Sequence, residues 1–217
     1  MRDEFERQLA LLNEELTTMG GLIESAIANA VKALDGDEHS INKAYDYEKS
    51  IDNKEREIES LSLKLLLTQQ PVASDLRLIS AALKMITDIE RVGDQSADIA
   101  DLNIQLIKKK QKWDLSDISE MARAATQMVN DAIDAYVNDD ENLARKVISS
   151  DDKIDELFVK TKDKIIDEIV ADKANGEKAI DTLMVAKYFE RIGDHAVNIA
   201  EWVVFSVTGV HKTERIM

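Results

Sequence analysis

"DIERVGDQSADIAD", Asp88 to Asp101, returns one hundred residues later as "YFERIGDHAVNIAE", Tyr188 to Glu201. Both copies carry Glu-Arg-(Val/Ile)-Gly-Asp, followed at matching places by Ile99 and Ile199 and by Ala100 and Ala200. Around the first copy the apolar positions Ile79, Leu83, Ile86, Gly93, Ala97, Ala100, Ile104 and Ile107 alternate by fours and threes. That is the spacing of one buried helix stripe. One beat is missing between Ile86 and Gly93, and Glu90 occupies it. The second copy runs Ala179, Leu183, Ala186, Gly193, Val197, Ala200, Val204, and its missing beat is Glu190. Each glutamate interrupts a core seam, and Asp94 or Asp194 follows one turn later. A glycine inside a helix costs about 1 kcal/mol relative to alanine. Gly93 and Gly193 therefore imply that something approaches the backbone closely.

The duplication extends outward from this phrase. "IESAIANAV" (Ile23 to Val31) matches "VNDAIDAYV" (Val129 to Val137), and "EKSID" (Glu48 to Asp52) matches "DDKID" (Asp151 to Asp155). The offset between copies is 106, then 103, then 100, so the length differences fall between matched helices. Helical spacing predicts six helices: 3–34, 40–68, 71–109, 117–137, 143–171 and 178–207, with Pro71 in the first turn of the third. Short turns make neighbours antiparallel. The expected fold is all-α, two tandem pseudo-symmetric three-helix bundles, covering residues 1–110 and 114–217. "KKKQKWDLSD", with Lys108 to Lys110 and Lys112 beside Trp113, reads as the linker; a basic contact surface is the lesser reading.

Composition agrees. One proline and 7 glycines in 217 residues are too few breakers for an all-β chain. With 44% hydrophobic and 33% charged residues the chain can bury a core and keep a charged surface. There is no cysteine, which excludes disulfides and thiolate metal sites. The net charge of −15 disfavours nucleic acid, whose affinity comes largely from Lys and Arg on phosphates, and disfavours anionic lipid. "MRDEFERQLALL" has acids where a signal peptide needs a basic start and an apolar run. No apolar stretch reaches the ~18 residues of a membrane span. The expected address is the cytoplasm.

Antiparallel pairing predicts where the acids meet. Asp52 lies about as far before Pro71 as Glu90 lies after it, which brings them level. A similar count around Asn175 brings Asp155 near Glu190. Each half then gathers four carboxylates: Glu48, Asp52, Glu90 and Asp94 in one, Asp151, Asp155, Glu190 and Asp194 in the other. Glu55 and Glu59 continue the stripe of the first set. Gathered carboxylates raise one another's pKa or are neutralised by a cation. An all-oxygen set suits Mg, Mn, Ca or iron, and shared carboxylates can bridge several ions. The competing reading is a solvated acidic face with local arginine partners, Glu90 and Arg91 being too close in sequence to pair well. For Asp98, Asp101 and Glu201 the solvated face is preferred. His195 follows Asp194 as a candidate extra ligand, but the first copy has Gln95 there, and an incidental surface histidine is preferred. No Glu-x-x-His pair of the ferritin type, no Ser/His/Asp set and no nucleotide loop occurs. The function classes left open are a metal-binding regulatory adaptor, a carboxylate-bridged metalloenzyme and a plain helical scaffold.

With its repeated pair of E(D)-x-x-x-D motifs, and with "SDLRLISAALKMITDIERVGD" in the third helix, the chain resembles the PhoU family of bacterial phosphate-transport regulators along nearly its whole length. The second copy has no counterpart of "DLR" at Asp75 to Arg77, and Asn198 replaces Asp98. The resemblance implies a non-enzymatic, cytoplasmic negative regulator of the phosphate-starvation response. It implies association with the phosphate ABC importer through its ATPase subunit and with the phosphate-sensing histidine kinase, so that membrane contact is peripheral and through partners. It also implies multinuclear metal clusters, iron or zinc in some members, with Mn or Mg as further candidates. By position the ligands would be Glu48, Asp52, Glu90 and Asp94, and Asp151, Asp155, Glu190 and Asp194. A homodimer is expected of such long amphipathic bundles.

Overall fold

Two acids, Asp3 and Glu4, sit in the first turn of α1 (Arg2–Leu34), where they favour the positive end of the helix dipole. Gly36 at φ 98° closes it: the Gly36 amide donates to Ala33 O (2.9 Å) and the Asp37 amide to Lys32 O (3.2 Å). This is a Schellman turn. The second repeat turns in the same way, with Asp139 at φ 51° in place of the glycine, the Asp139 amide on Tyr136 O and the Asp140 amide on Ala135 O. Asp37 and Asp140 then start the next helices. The Asp37 carboxylate accepts from the His39 amide and the Ser40 hydroxyl, and Asp140 accepts from the Leu143 amide. These caps put the starts of α2 (Glu38–Gln69) and α5 (Glu141–Ala171) two residues earlier than the apolar spacing predicts.

The computed structural model describes residues 2–69, 72–108 and 116–211. The remaining elements are α3 (Ala73–Lys108), α4 (Ser116–Val137), a 3-10 turn (Lys173–Asn175) and α6 (Gly176–Thr208). Among the described residues there is no strand. Pro71 and the boundary between repeats, with most of the basic linker, lie outside the described residues.

The expected pair of three-helix bundles is present, and the two share one core. α1, α2 and α3 pack together, as do α4, α5 and α6; α3 packs on α6 and α1 on α4. Four central helices therefore form a closed ring, with α2 and α5 on its two outer sides. Burial follows this plan. α2 buries a narrow apolar stripe, Ala44, Ile51, Ile58 and Leu65, at seven-residue steps. Of its expected seam α3 buries Ile79, Ile86, Gly93, Ala97 and Ala100, with Leu83 half-buried and the side chains of Ile104 and Ile107 outside the described residues. It also buries a second stripe, Met85, Ile89, Val92 and Ile99, which the seam count missed. α6 matches it with Val185, Phe189, Ile192 and Ile199. A single cluster of buried residues draws on all six helices.

Polar ties fix the two repeats to each other. Arg77 Nε donates to Ser206 O (3.3 Å), satisfying a carbonyl at the end of α6, just before Gly209 turns the chain at φ 77°. The buried Tyr136 hydroxyl donates to Leu78 O (3.0 Å). Asp88 takes His195 Nδ1 at 2.8 Å and Asn198 Nδ2 at 3.2 Å. Tyr188 hydrogen-bonds Asp98. Under the hundred-residue repeat, Asp98 is the counterpart of Asn198 and Tyr188 of Asp88. The two pairs thus occupy equivalent places on an antiparallel α3–α6 contact. His195 is accordingly a half-buried tie between repeats, not an incidental surface histidine.

Candidate metal centre

The glycine of each repeated phrase has a definite neighbour. A Cβ on Gly93 would lie 3.1 and 3.2 Å from Ile51 Cδ1 and Cγ2, and one on Gly193 would lie 2.9 Å from Ile154 Cδ1 and 3.3 Å from Asp151 Oδ1. Ile51 and Ile154 are fully buried counterparts on α2 and α5. The close approach draws the outer helix onto the central one beside the acids. Gly93→Ala is expected to destabilise the chain by about 1 kcal/mol net. Overpacking costs roughly 1–3 kcal/mol and the gain in helix propensity offsets about 1. Urea unfolding measures it. Ile51→Val should recover only part, since it leaves the Cγ position in place.

In the first repeat, Glu48 and Asp52 on α2 and Asp94 on α3 each bring one carboxylate oxygen to within 4.8 Å of the other two. All three are half-buried. Glu90 stands one turn before Asp94. Burial first, and then Asp94, push its carboxyl above the ordinary range, with further contributions from Glu55 and Asp52. Glu48 is raised by burial, then by Asp52 and Asp94. Glu55 is raised by burial, then by Glu59 and Asp52. Two cations are built in, and Arg56 is one of them, 3.7 Å from Asp52 Oδ2. Arg91 reaches Asp94 Oδ2 at 2.9 Å and its own neighbour Glu90 at 3.4 Å, although the two are adjacent in sequence. Arg91 is more than half exposed, which lets one long side chain fold back to both acids.

In the second repeat, Asp151 and Asp155 come from α5 and Glu190 and Asp194 from α6. Burial and the charges of Asp155, Asp194 and Glu190 push the Asp151 carboxyl up to about 6. Asp194 is raised by burial and then by Glu190. Lys187 Nζ lies 2.5 Å from Glu190 Oε2, outside hydrogen-bond alignment, and is a resident cation of this cluster, at a position where the first repeat has Thr87. Among the described residues, only the first set brings three carboxylates into mutual reach. The second is gathered electrostatically but held wider.

Asp98 and Asp101 are exposed residues, as expected of a solvated face, but each carboxylate has a tyrosine partner. Asp98 accepts from Tyr188, and Asp101 accepts from the hydroxyl of Tyr45 on α2; burial raises both carboxyls. Glu201 is half-buried. The Tyr45 and Tyr188 partners were not legible from spacing, because each belongs to a different helix.

The donor chemistry fits a hard divalent cation. Oxygen donors converge, burial and then the neighbouring acids raise the Glu48 carboxyl, and the cations already nearby are singly charged, partly exposed side chains. The PhoU domain family matches this chain twice, over residues 16–102 and 118–203. The chain belongs to the PhoU family. A PhoU homolog from Clostridium acetobutylicum, a phosphate-specific transport system accessory protein, is 34% identical over 96% of this chain and 96% of its own length. One from Thermotoga maritima with the same description is 32% identical over 97% of this chain and 91% of its own. The crystal structure of PhoU from Pseudomonas aeruginosa superimposes with a TM-score of 0.89 at 30% identity, covering 95% of this chain and all of that one. In this PhoU chain, no described helix is long and apolar enough to cross a membrane.

Proposed function

We propose that the protein is a non-enzymatic negative regulator of phosphate uptake. It acts in the cytoplasm as a metal-binding adaptor between the phosphate ABC importer, through its ATPase subunit, and the phosphate-sensing histidine kinase. The observation that carries the metal part is the convergence of Glu48, Asp52 and Asp94, repeated in looser form by Asp151, Asp155, Glu190 and Asp194. The regulatory part is supported by relatives described as accessory proteins of the phosphate-specific transport system. Bound cations would neutralise the gathered acids, and would tie α2 to α3 and α5 to α6. Iron, zinc, manganese and magnesium are the candidate ions. A homodimer is part of the proposal.

Deletion of the gene is expected to leave starvation genes expressed and phosphate uptake high in phosphate-rich medium. Restoration should require the wild-type chain, and a chain carrying Asp94→Ala and Asp194→Ala together should restore little. Normal repression in the deletion strain would remove the regulatory reading. Pull-down from detergent-solubilised membranes tests the importer ATPase and the kinase as partners.

The resident cations give a further expectation. Lys187→Met removes a charge that competes for Glu190, so cation affinity at the second cluster should rise about two- to fivefold. An exposed ion pair of up to about 1 kcal/mol sets the ceiling at about fivefold. Calorimetric titration with Mn2+ measures it, and unchanged affinity would show that the lysine does not compete.

A further inference from the structure

The repeats differ at one groove. In the first repeat Tyr47 of α2 is half-buried and packs against the core. Its counterpart on α5, three residues out of step with the hundred-residue repeat, is Ser150. Ser150 lines a groove of about 260 Å3 between α4 and α5. Its floor is apolar: Met128 is buried and Ala124 half-buried.

The charges on the rim are unequal in their freedom. Gln127 Nε2 donates to Asp131 Oδ1 at 2.6 Å, and Lys153 Nζ lies 3.7 Å from Glu120 Oε1. Both acids in the groove are thereby partnered. Arg123 has no hydrogen-bond or ion partner among the described residues, in a chain of net charge −15. The positions equivalent to Arg123 and Ala124 in the first repeat are Thr17 and Thr18, whose hydroxyls bond their own helix backbone. At the positions of Arg123 and Lys153 the first repeat therefore carries Thr17 and Ser50, and it lacks the cation.

We propose that this α4–α5 groove is a binding site for a small amphipathic oxyanion: a compact apolar body carrying one phosphate or carboxylate. The guanidinium of Arg123 offers the two-pronged donor that such groups accept. The apolar body would lie over Met128 and Ala124. A cationic ligand would face Arg123, and a neutral one would leave it unused. The volume is below the ~300 Å3 at the lower end of ligand clefts, so the body is no larger than a single ring. Ser150 precedes Asp151, so an occupant would touch the helix that supplies half of the second acidic cluster.

The test uses the full chain after chelator treatment, so that no cation in the acidic clusters captures the anion. Phenyl phosphate, benzoate, phenol and inorganic phosphate are titrated one at a time. Affinity is read by calorimetry, and location by amide chemical shifts over residues 120–131 and 150–153. Phenyl phosphate or benzoate should bind there, whichever is tighter naming the oxyanion, with phenol and inorganic phosphate at least about tenfold weaker. Arg123→Gln should weaken binding about tenfold. Ser150→Tyr, which imports the residue of the first repeat, should abolish it. Arg123 is exposed, so its variant keeps the test valid should Ser150→Tyr fail to fold. Binding of none of the four, binding equal for inorganic phosphate, or binding indifferent to Arg123→Gln would overturn the proposal.

Discussion

Asp94→Ala is expected to weaken divalent-cation binding at the α2–α3 cluster by about ten- to a hundredfold. That is the cost of losing one charge-assisted contact. Asp94 supplies one of three carboxylates in mutual reach and is the only one of them on α3. Without it Glu48 and Asp52 lie on one helix, and Glu90, one turn away, is the acid of the set left on α3, so the tie between α2 and α3 is weakened. Thermal unfolding gives a second readout, since a ligand that binds only the folded state stabilises it by about 2.7 kcal/mol at a hundred times its Kd. The wild-type chain should melt higher with Mn2+, and the variant should gain less. Equal gain in both would remove this cluster as a site.

The same experiment has a pH signature at the second cluster. Asp151 has a folded-state pKa of about 6 against an ordinary 3.8. The folded chain therefore holds a proton that the unfolded chain has released between about pH 4 and pH 6. This contribution to stability is fully present below about pH 4 and is lost as pH rises through about 6. The cation-free chain should thus melt lower at pH 7 than near pH 5 as far as this group is concerned. Discounted for solvent screening, the effect is on the order of 1 kcal/mol, or about 2–4 °C. Cation binding displaces the proton, so affinity should rise with pH through this range, with proton release near pH 5.5. Asp151→Asn should remove both the proton release and this share of the pH dependence.

The duplication explains the economy of the site. A glycine that admits Ile51 or Ile154 brings the outer helix close, and the acids flank that contact. The sequence made this legible, because a missing beat in a periodic seam and a mid-helix glycine are both local signals. The six helices and their antiparallel pairing were readable for the same reason. Four features were not. The α2 and α5 starts depend on side-chain caps from Asp37 and Asp140, which an apolar count ignores. The second stripe of α3 and α6 escaped because the seam count followed a single stripe. His195, Asp98 and Asp101 find partners across helix pairs whose register no single repeat reveals. The difference in tightness between the clusters was also hidden, since it depends on the exact approach of α5 to α6.

Phe189→Ala is expected to lower the stability of the whole chain by about 3–5 kcal/mol, the cost of a large aromatic removed from a fully buried site. At about 2–4 °C per kcal/mol, the melting temperature should fall on the order of 10 °C. More telling than the size is the shape of the transition. Phe189 belongs to the second repeat, yet it sits in one cluster with Ile23, Met85 and Ile89 of the first. Arg77, Tyr136, Asp88 and His195 tie the same surfaces with polar contacts. Two independent bundles would leave α1 to α3 melting at the wild-type temperature. A shared core requires both repeats to melt together. Hydrogen exchange separates the outcomes, because slow amides of α3 far from Phe189 report the first repeat directly. Loss of protection in α3 by the same free energy as in α6 is the expected result. Unchanged protection in α3 would mean that the repeats are thermodynamically separate, and that a cation at one cluster could not influence the other through the core.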